Sequence, residues 1–168
     1  AEIQEILIRS ASDLISLDNP NYQFVAARLL LFSLRKSLFG RMHETPKFFD
    51  HITKCVKLNV YDKEILDNYT EEEIATVERF IDHERDYLFT YAGLRQVVDK
   101  YLVQDRSAGK VYETPQFAYM MIALTIFARY PKETRIDYVR RYYNAISKHK
   151  INIPTPIMAG VRTPLRQF

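Results

Sequence analysis

Thr114-Pro115-Gln116-Phe117-Ala118-Tyr119-Met120-Met121-Ile122-Ala123-Leu124-Thr125-Ile126-Phe127 is the stretch whose reading decides the fold. A hydroxyl residue followed by proline marks a helix start, because proline at the first helical position lacks an N–H that would have no intrahelical partner there. The near-continuous apolar run from Phe117 to Phe127 then predicts a helix buried on most of its circumference. The longest apolar stretch, Phe117 to Ala128, is too short to cross a bilayer.

Outward from this helix the chain reads as mainly α. Pro131 ends it, and a final helix from about Lys132 to Lys148 carries Ile136, Val139, Tyr142, Tyr143 and Ile146 inward. Upstream, Tyr101-Leu102-Val103 and Lys110-Val111-Tyr112 flank the turn residues Asp105 to Gly109 and predict one small β-hairpin. Further upstream, helices are expected over Glu2 to Leu17, Tyr22 to Phe39 with Gly40 as C-terminal cap, Lys47 to Leu58, and Lys63 to Asn68. Thr70-Glu71-Glu72-Glu73 has the form of a capping box and leads into Ile74, Val77 and Phe80. A last helix is expected from about Glu84 to Val98. Its Gly93 costs ~1 kcal/mol relative to alanine, which points to close packing there.

Composition agrees with a helical bundle-like domain. The chain has 168 residues, 47% of them hydrophobic, and only four glycines, a deficit that suits long helices better than a loop-rich fold. One cysteine excludes an internal disulfide framework and a Cys-rich zinc site. No signal peptide opens the sequence, so a cytoplasmic location is the default expectation.

The end of the chain differs in kind. Residues 1–150 read as the helical domain, whereas residues 151–168 carry Pro154, Pro156, Pro164 and Gly160 in an apolar setting. This composition predicts extended backbone from Ile153 to Val161, a strand without a partner that would begin a second unit. Beyond Asp137 no acidic residue occurs, while Arg140, Arg141, Lys148, Lys150, Arg162 and Arg166 add six positive charges. Such an end suits a phosphate-bearing ligand, an acidic partner, or a neighbour that covers it.

Candidate chemistry in the helical part is sparse. His51 and Cys55 lie four residues apart on one helix face, but two ligands do not make a metal site, and a lone cysteine there is ordinarily a small hydrophobe. Asp82-His83-Glu84-Arg85-Asp86 reads as a capped helix junction rather than an acid–base cluster. The aromatics Tyr87, Phe89 and Tyr91 lack the interleaved basic residues of a nucleic-acid platform. No glycine-rich phosphate loop is present.

The sharpest pattern is Pro154-Thr155-Pro156-Ile157-Met158-Ala159-Gly160-Val161-Arg162-Thr163-Pro164-Leu165-Arg166-Gln167-Phe168. It resembles the large, catalytic subunit of class I ribonucleotide reductase. Lys100 to Val103, Tyr112 to Phe117, Tyr22 to Arg28, and Leu34-Arg35-Lys36 look like the same family's helical N-terminal region.

The resemblance implies an enzyme that reduces the 2′-hydroxyl of ribonucleoside diphosphates through a thiyl radical in a ten-stranded α/β barrel. A small subunit would supply the radical, and ATP and deoxynucleotide effectors would tune activity. On this likeness Thr155 is a substrate-binding residue and Lys36 reaches an ATP effector. The radical and redox cysteines of the family have no counterpart in this chain, so no catalytic residue, metal ligand or bound cofactor is expected of it alone. It reads as an inactive fragment whose partners are the remainder of the large subunit, the small subunit and the substrate, with no membrane or nucleic acid. The alternative is a non-enzymatic helical interaction module derived from that region. A scaffold predicts a tail from Ile157 onward that is mobile or pinned by a neighbour, whereas a module predicts a tail folded onto its own body.

Overall fold

A computed structural model describes residues 2–165. In chain order these form α1 (Glu2–Asp13), α2 (Tyr22–Phe39), α3 (Phe48–Lys57), α4 (Glu64–Asn68), α5 (Glu71–Glu78), a 3₁₀ helix (His83–Leu88) and α6 (Tyr91–Gln96), which runs into a π-helical turn (Val97–Tyr101). There follow β1 (Gln104–Asp105), β2 (Lys110–Val111), α7 (Pro115–Phe127), α8 (Lys132–Ser147) and α9 (Thr155–Gly160). The two strands pair antiparallel, Gln104 opposite Val111 and Asp105 opposite Lys110. The protein is mainly helical with one small hairpin, as its sequence predicts.

α7 is the axis of the core. Every residue from Pro115 to Leu124 is buried, and the Thr114 hydroxyl accepts the Phe117 N–H at the helix start. Each fully buried Ile, Leu, Met or Phe side chain contributes about 2 kcal/mol through removal from water. α8 packs along α7, α5 contacts both α3 and α8, and α2 bridges α1 to α6. α1 touches the body mainly through Ile8 and Ala11, leaving Ile3, Ile6 and Leu7 half or more exposed.

The caps explain where elements stop. Gly40 has φ +74°, the left-handed conformation that a Cβ disfavours, and its N–H closes on the Lys36 carbonyl. At the start of α5, the Thr70 hydroxyl accepts the Glu73 N–H at 3.2 Å while the Glu73 carboxylate accepts the Thr70 N–H at 2.9 Å. This reciprocal pair is the expected capping box.

The segment from Glu84 to Val98 is not one helix. Thr90 adopts extended backbone and caps α6 with its hydroxyl, so the preceding 3₁₀ helix ends at Leu88. A Cβ on Gly93 would lie 3.2 Å from the Thr90 hydroxyl oxygen, so the close neighbour of this glycine is its own helix cap.

The expected orphan strand is also corrected: Thr155–Gly160 is helical. Pro154 and Pro156 flank Thr155 at the helix start, where missing N–H groups carry no penalty. The Met158 N–H then bonds the Pro154 carbonyl at 3.1 Å. Over its described length the tail packs on the body: Ile157, Met158 and Val161 lie against the core and the Asp62 N–H donates to the Arg162 carbonyl at 2.9 Å. Arg166, Gln167 and Phe168 lie outside the described residues. Among the described residues, no helix is long and apolar enough to cross a membrane.

Candidate functional site

Thr155 opens α9 with its side chain exposed. It lies beside the Tyr101 phenol, which the Thr155 side chain holds below the ordinary tyrosine range, with a smaller contribution from Gln96. The π-helical turn that carries Tyr101 is therefore the ledge on which the start of α9 rests.

Beneath this ledge lies a fully buried ion pair between Arg162 and Glu113, 1% and 0% exposed. The Arg162 Nε donates to both Glu113 oxygens, at 3.1 and 3.0 Å, and Nη2 donates to Oε1 as well. Nη1 donates to the Met158 carbonyl in α9 at 2.6 Å, and Nη2 also reaches the Tyr101 carbonyl at 2.9 Å. Glu113 further accepts the Tyr61 hydroxyl at 2.6 Å and the Val103 N–H at 2.7 Å. A buried charge survives only with such complete pairing. Burial works against the Arg162 guanidinium, but Glu113 outweighs it and raises the arginine above its usual value. Burial, reinforced by the Glu113 charge, pushes the Tyr61 phenol well above its own.

Sequence reasoning missed this pair by grouping Arg162 with a basic end. Two signals were present: Glu113 directly precedes the cap of the most apolar helix, and Arg162 closes the uncharged run Ile157 to Val161. The rest of the basic end is neutralised only in part. Arg140 and Arg141 share Asp137, at 2.8 and 3.9 Å, while Lys148 and Lys150 remain exposed.

Lys36 lies on a different element from Thr155. It occupies the last turn of α2, exposed, where a cation complements the helix dipole. Its neighbour Arg35 turns inward to Asp86 at 3.4 Å.

Asp86 anchors the junction expected from Asp82 to Asp86. The Gln116 amide donates to it at 2.9 Å, Tyr143 donates its hydroxyl to Gln116 at 2.6 Å, and the Asp82 N–H donates to Tyr143 at 2.9 Å. Burial pushes Asp86 up to about 6, against the opposing pull of Gln116 and Arg35. This chain of bonds ties α2, the 3₁₀ helix, α7 and α8 together and points to no reacting atom.

His51 and Cys55 share a face of α3, with Nε2 and Sγ 3.6 Å apart. The imidazole is wedged against Phe39, Tyr61 and Phe117, and burial lowers it to about 4. Burial, aided by the Glu113 charge, pushes the thiol up to about 12. At neutral pH both groups are uncharged and the thiolate needed for nucleophilic attack is scarce. Cys55 is therefore expected to resist a thiol reagent such as Ellman's at pH 8 while the chain is folded and to react in full on denaturation; rapid labelling of the folded chain would refute this. Among the described residues, no group of three or more His, Cys, Asp or Glu side chains is placed to hold a metal ion.

Comparison with known proteins places this geometry in a family. The family model described as ribonucleotide reductase, all-alpha domain, matches residues 87–166, which include Tyr101, Glu113, Thr155 and Arg162. The chain is 52% identical over all 168 residues to the ribonucleoside-diphosphate reductase subunit alpha of Haemophilus influenzae. It is 51% identical over the same length to ribonucleoside-diphosphate reductase 1 subunit alpha of Escherichia coli, and 49% identical over 167 residues to subunit alpha of Enterobacteria phage T4. It spans 22% of the length of each of these relatives. The chain belongs to the ribonucleotide reductase large-subunit family and corresponds to the helical N-terminal region of the class I large subunit.

Proposed function

We propose that this chain works as the helical region of a ribonucleoside-diphosphate reductase large subunit, where it buttresses the catalytic barrel and presents Thr155 to the substrate. The observation that carries the reading is the extent of the likeness, 52% identity along the whole of this chain. The geometry supports it: the Thr155 hydroxyl stands exposed between two prolines at the start of a short helix, braced by Tyr101. A small rigid ledge of this kind suits the sugar or phosphate of a nucleotide.

In this reading the complete subunit reduces ribonucleoside diphosphates in the cytoplasm by a thiyl-radical route, with the radical delivered by the small subunit. ATP and deoxynucleotides act as effectors, and the exposed Lys36 supplies a cation to a nucleotide phosphate. Cys55, buried and protonated, takes no part.

A second reading, a non-enzymatic interaction module, is favoured by one observation: the described tail is moored on its own body through Arg162 and Glu113. Mixing this chain with a separately produced barrel fragment and the small subunit separates the two. Restored reduction of a ribonucleoside diphosphate is expected; association of folded pieces without activity would favour the module. In the full-length subunit, Thr155→Ala is expected to raise KM for the diphosphate roughly tenfold through loss of one charge-assisted hydrogen bond. An unchanged KM would remove Thr155 from the site.

A further inference from the structure

We infer that Arg162, held by Glu113, is a positioning residue for Thr155, clamping α9 onto the π-helical turn that carries Tyr101. This rests on the reading of Thr155 as a substrate contact. α9 runs only from Thr155 to Gly160 and has no fully buried residue, so its own packing fixes its place weakly. Two tethers compensate. At its start α9 packs on the π-helical turn, with the Thr155 side chain beside the Tyr101 phenol. Further along, Arg162 joins the Met158 carbonyl of α9 to the Tyr101 carbonyl, so the start and the middle of the helix are referenced to one residue.

The clamp is itself anchored. Glu113 stands at the entrance to α7, the most deeply buried helix, and is fixed by the Tyr61 hydroxyl and the Val103 N–H. Only a guanidinium can engage the carboxylate and two separate carbonyls from one planar fork; an ammonium at the end of a lysine has neither the shape nor the span. A displacement of about 1 Å at a reacting or binding group can change rates a hundredfold. Loss of the clamp should therefore register in substrate binding.

The test is a mutant cycle in the full-length subunit assayed with the small subunit. Arg162→Lys is expected to raise KM for the ribonucleoside diphosphate roughly tenfold while kcat stays within about twofold, as for loss of binding common to ground and transition states. Combined with Thr155→Ala, it should raise KM no further than the larger single change, because both act through one hydroxyl. A KM unaffected by Arg162→Lys, or effects that multiply in the double variant, would overturn the positioning role. Should Arg162→Lys fail to fold, the paired apolar replacement Arg162→Met with Glu113→Leu takes its place, with the same outcomes expected.

Should Thr155→Ala leave KM unchanged, the substrate reading fails with the positioning role, and hydrogen exchange then judges the clamp alone. Arg162→Lys should speed exchange of the Met158 and Asp62 amides at least tenfold with α7 unaltered, and unchanged exchange would dispose of the clamp as well.

Discussion

Glu113→Ala is expected to lower the unfolding free energy by about 3–5 kcal/mol, the range for breaking a buried ion pair by removing one partner. The cost lies less in the lost attraction than in what is left behind. Arg162, 1% exposed, would keep its charge with no counter-ion, while the Tyr61 hydroxyl and the Val103 N–H would lose their acceptor. Small domains are stable by only about 5–15 kcal/mol, so the variant should melt far earlier in urea and lose its tail contacts first. The paired replacement of Glu113 by leucine and Arg162 by methionine should cost clearly less than Glu113→Ala, because no unpaired charge remains. Equal losses in the single and the pair would show that packing, not electrostatics, sets the effect.

Phe117→Ala should cost a similar amount, about 3–5 kcal/mol for a large buried aromatic. The ring is 1% exposed and meets four others, with centroids 4.8 Å from Phe48, 4.7 Å from His51, 5.2 Å from His83 and 6.1 Å from Phe39. Removal leaves a void that helices fixed on three sides cannot close. It also carries a second, independent signature. His51 is held at about 4 chiefly by burial, so opening the space beside it should raise its titration midpoint toward 6.5. Because the lowered value means that the folded state disfavours the charged form, wild-type stability at this residue falls as pH drops from about 6.5 to 4, and the variant should show a smaller fall. NMR titration of the imidazole and urea midpoints across that window check both statements. An unmoved His51 would place its low value on some neighbour other than Phe117.

Much of this architecture is legible in the residues because it is set locally. α2 from Tyr22 to Phe39 ends at Gly40 as its cap requires, and α5 begins at the Thr70 box. The hairpin forms, and its second strand lies where Lys110 to Tyr112 suggests, but its first is Gln104–Asp105, two to three residues beyond the triplet Tyr101 to Val103, because Tyr101 ends the π-helical turn. Local chemistry also misled in two places. Thr90 competes as a helix cap within a segment whose apolar spacing reads as continuous, and proline density in the tail reads as extended when two prolines are merely clustered at a helix start. Both errors concern where a helix begins, which depends on one or two side-chain bonds rather than on periodicity.

The site was legible only in part, for a different reason. Thr155 stands out as a candidate because its motif is contiguous. Glu113 and Arg162 are 49 positions apart, and Tyr61 and Glu113 are 52. No spacing rule links such residues, since their meeting depends on how α7, the hairpin and α9 stack. Asp86 and Arg35, 51 apart, escaped notice in the same way, and their surroundings rather than their neighbours in sequence decide that both are buried.

The Arg162–Glu113 pair also constrains how this protein can change over generations. Either residue replaced alone strands the other in the core, whereas a simultaneous exchange for two apolar side chains leaves no unpaired charge, at the cost of the bonds to Met158 and Tyr101 and of the acceptor for Tyr61 and Val103. Drift at one position is therefore blocked until the other has changed. The two sites form a single heritable unit, and the path between its charged and apolar forms crosses an intermediate that folds poorly.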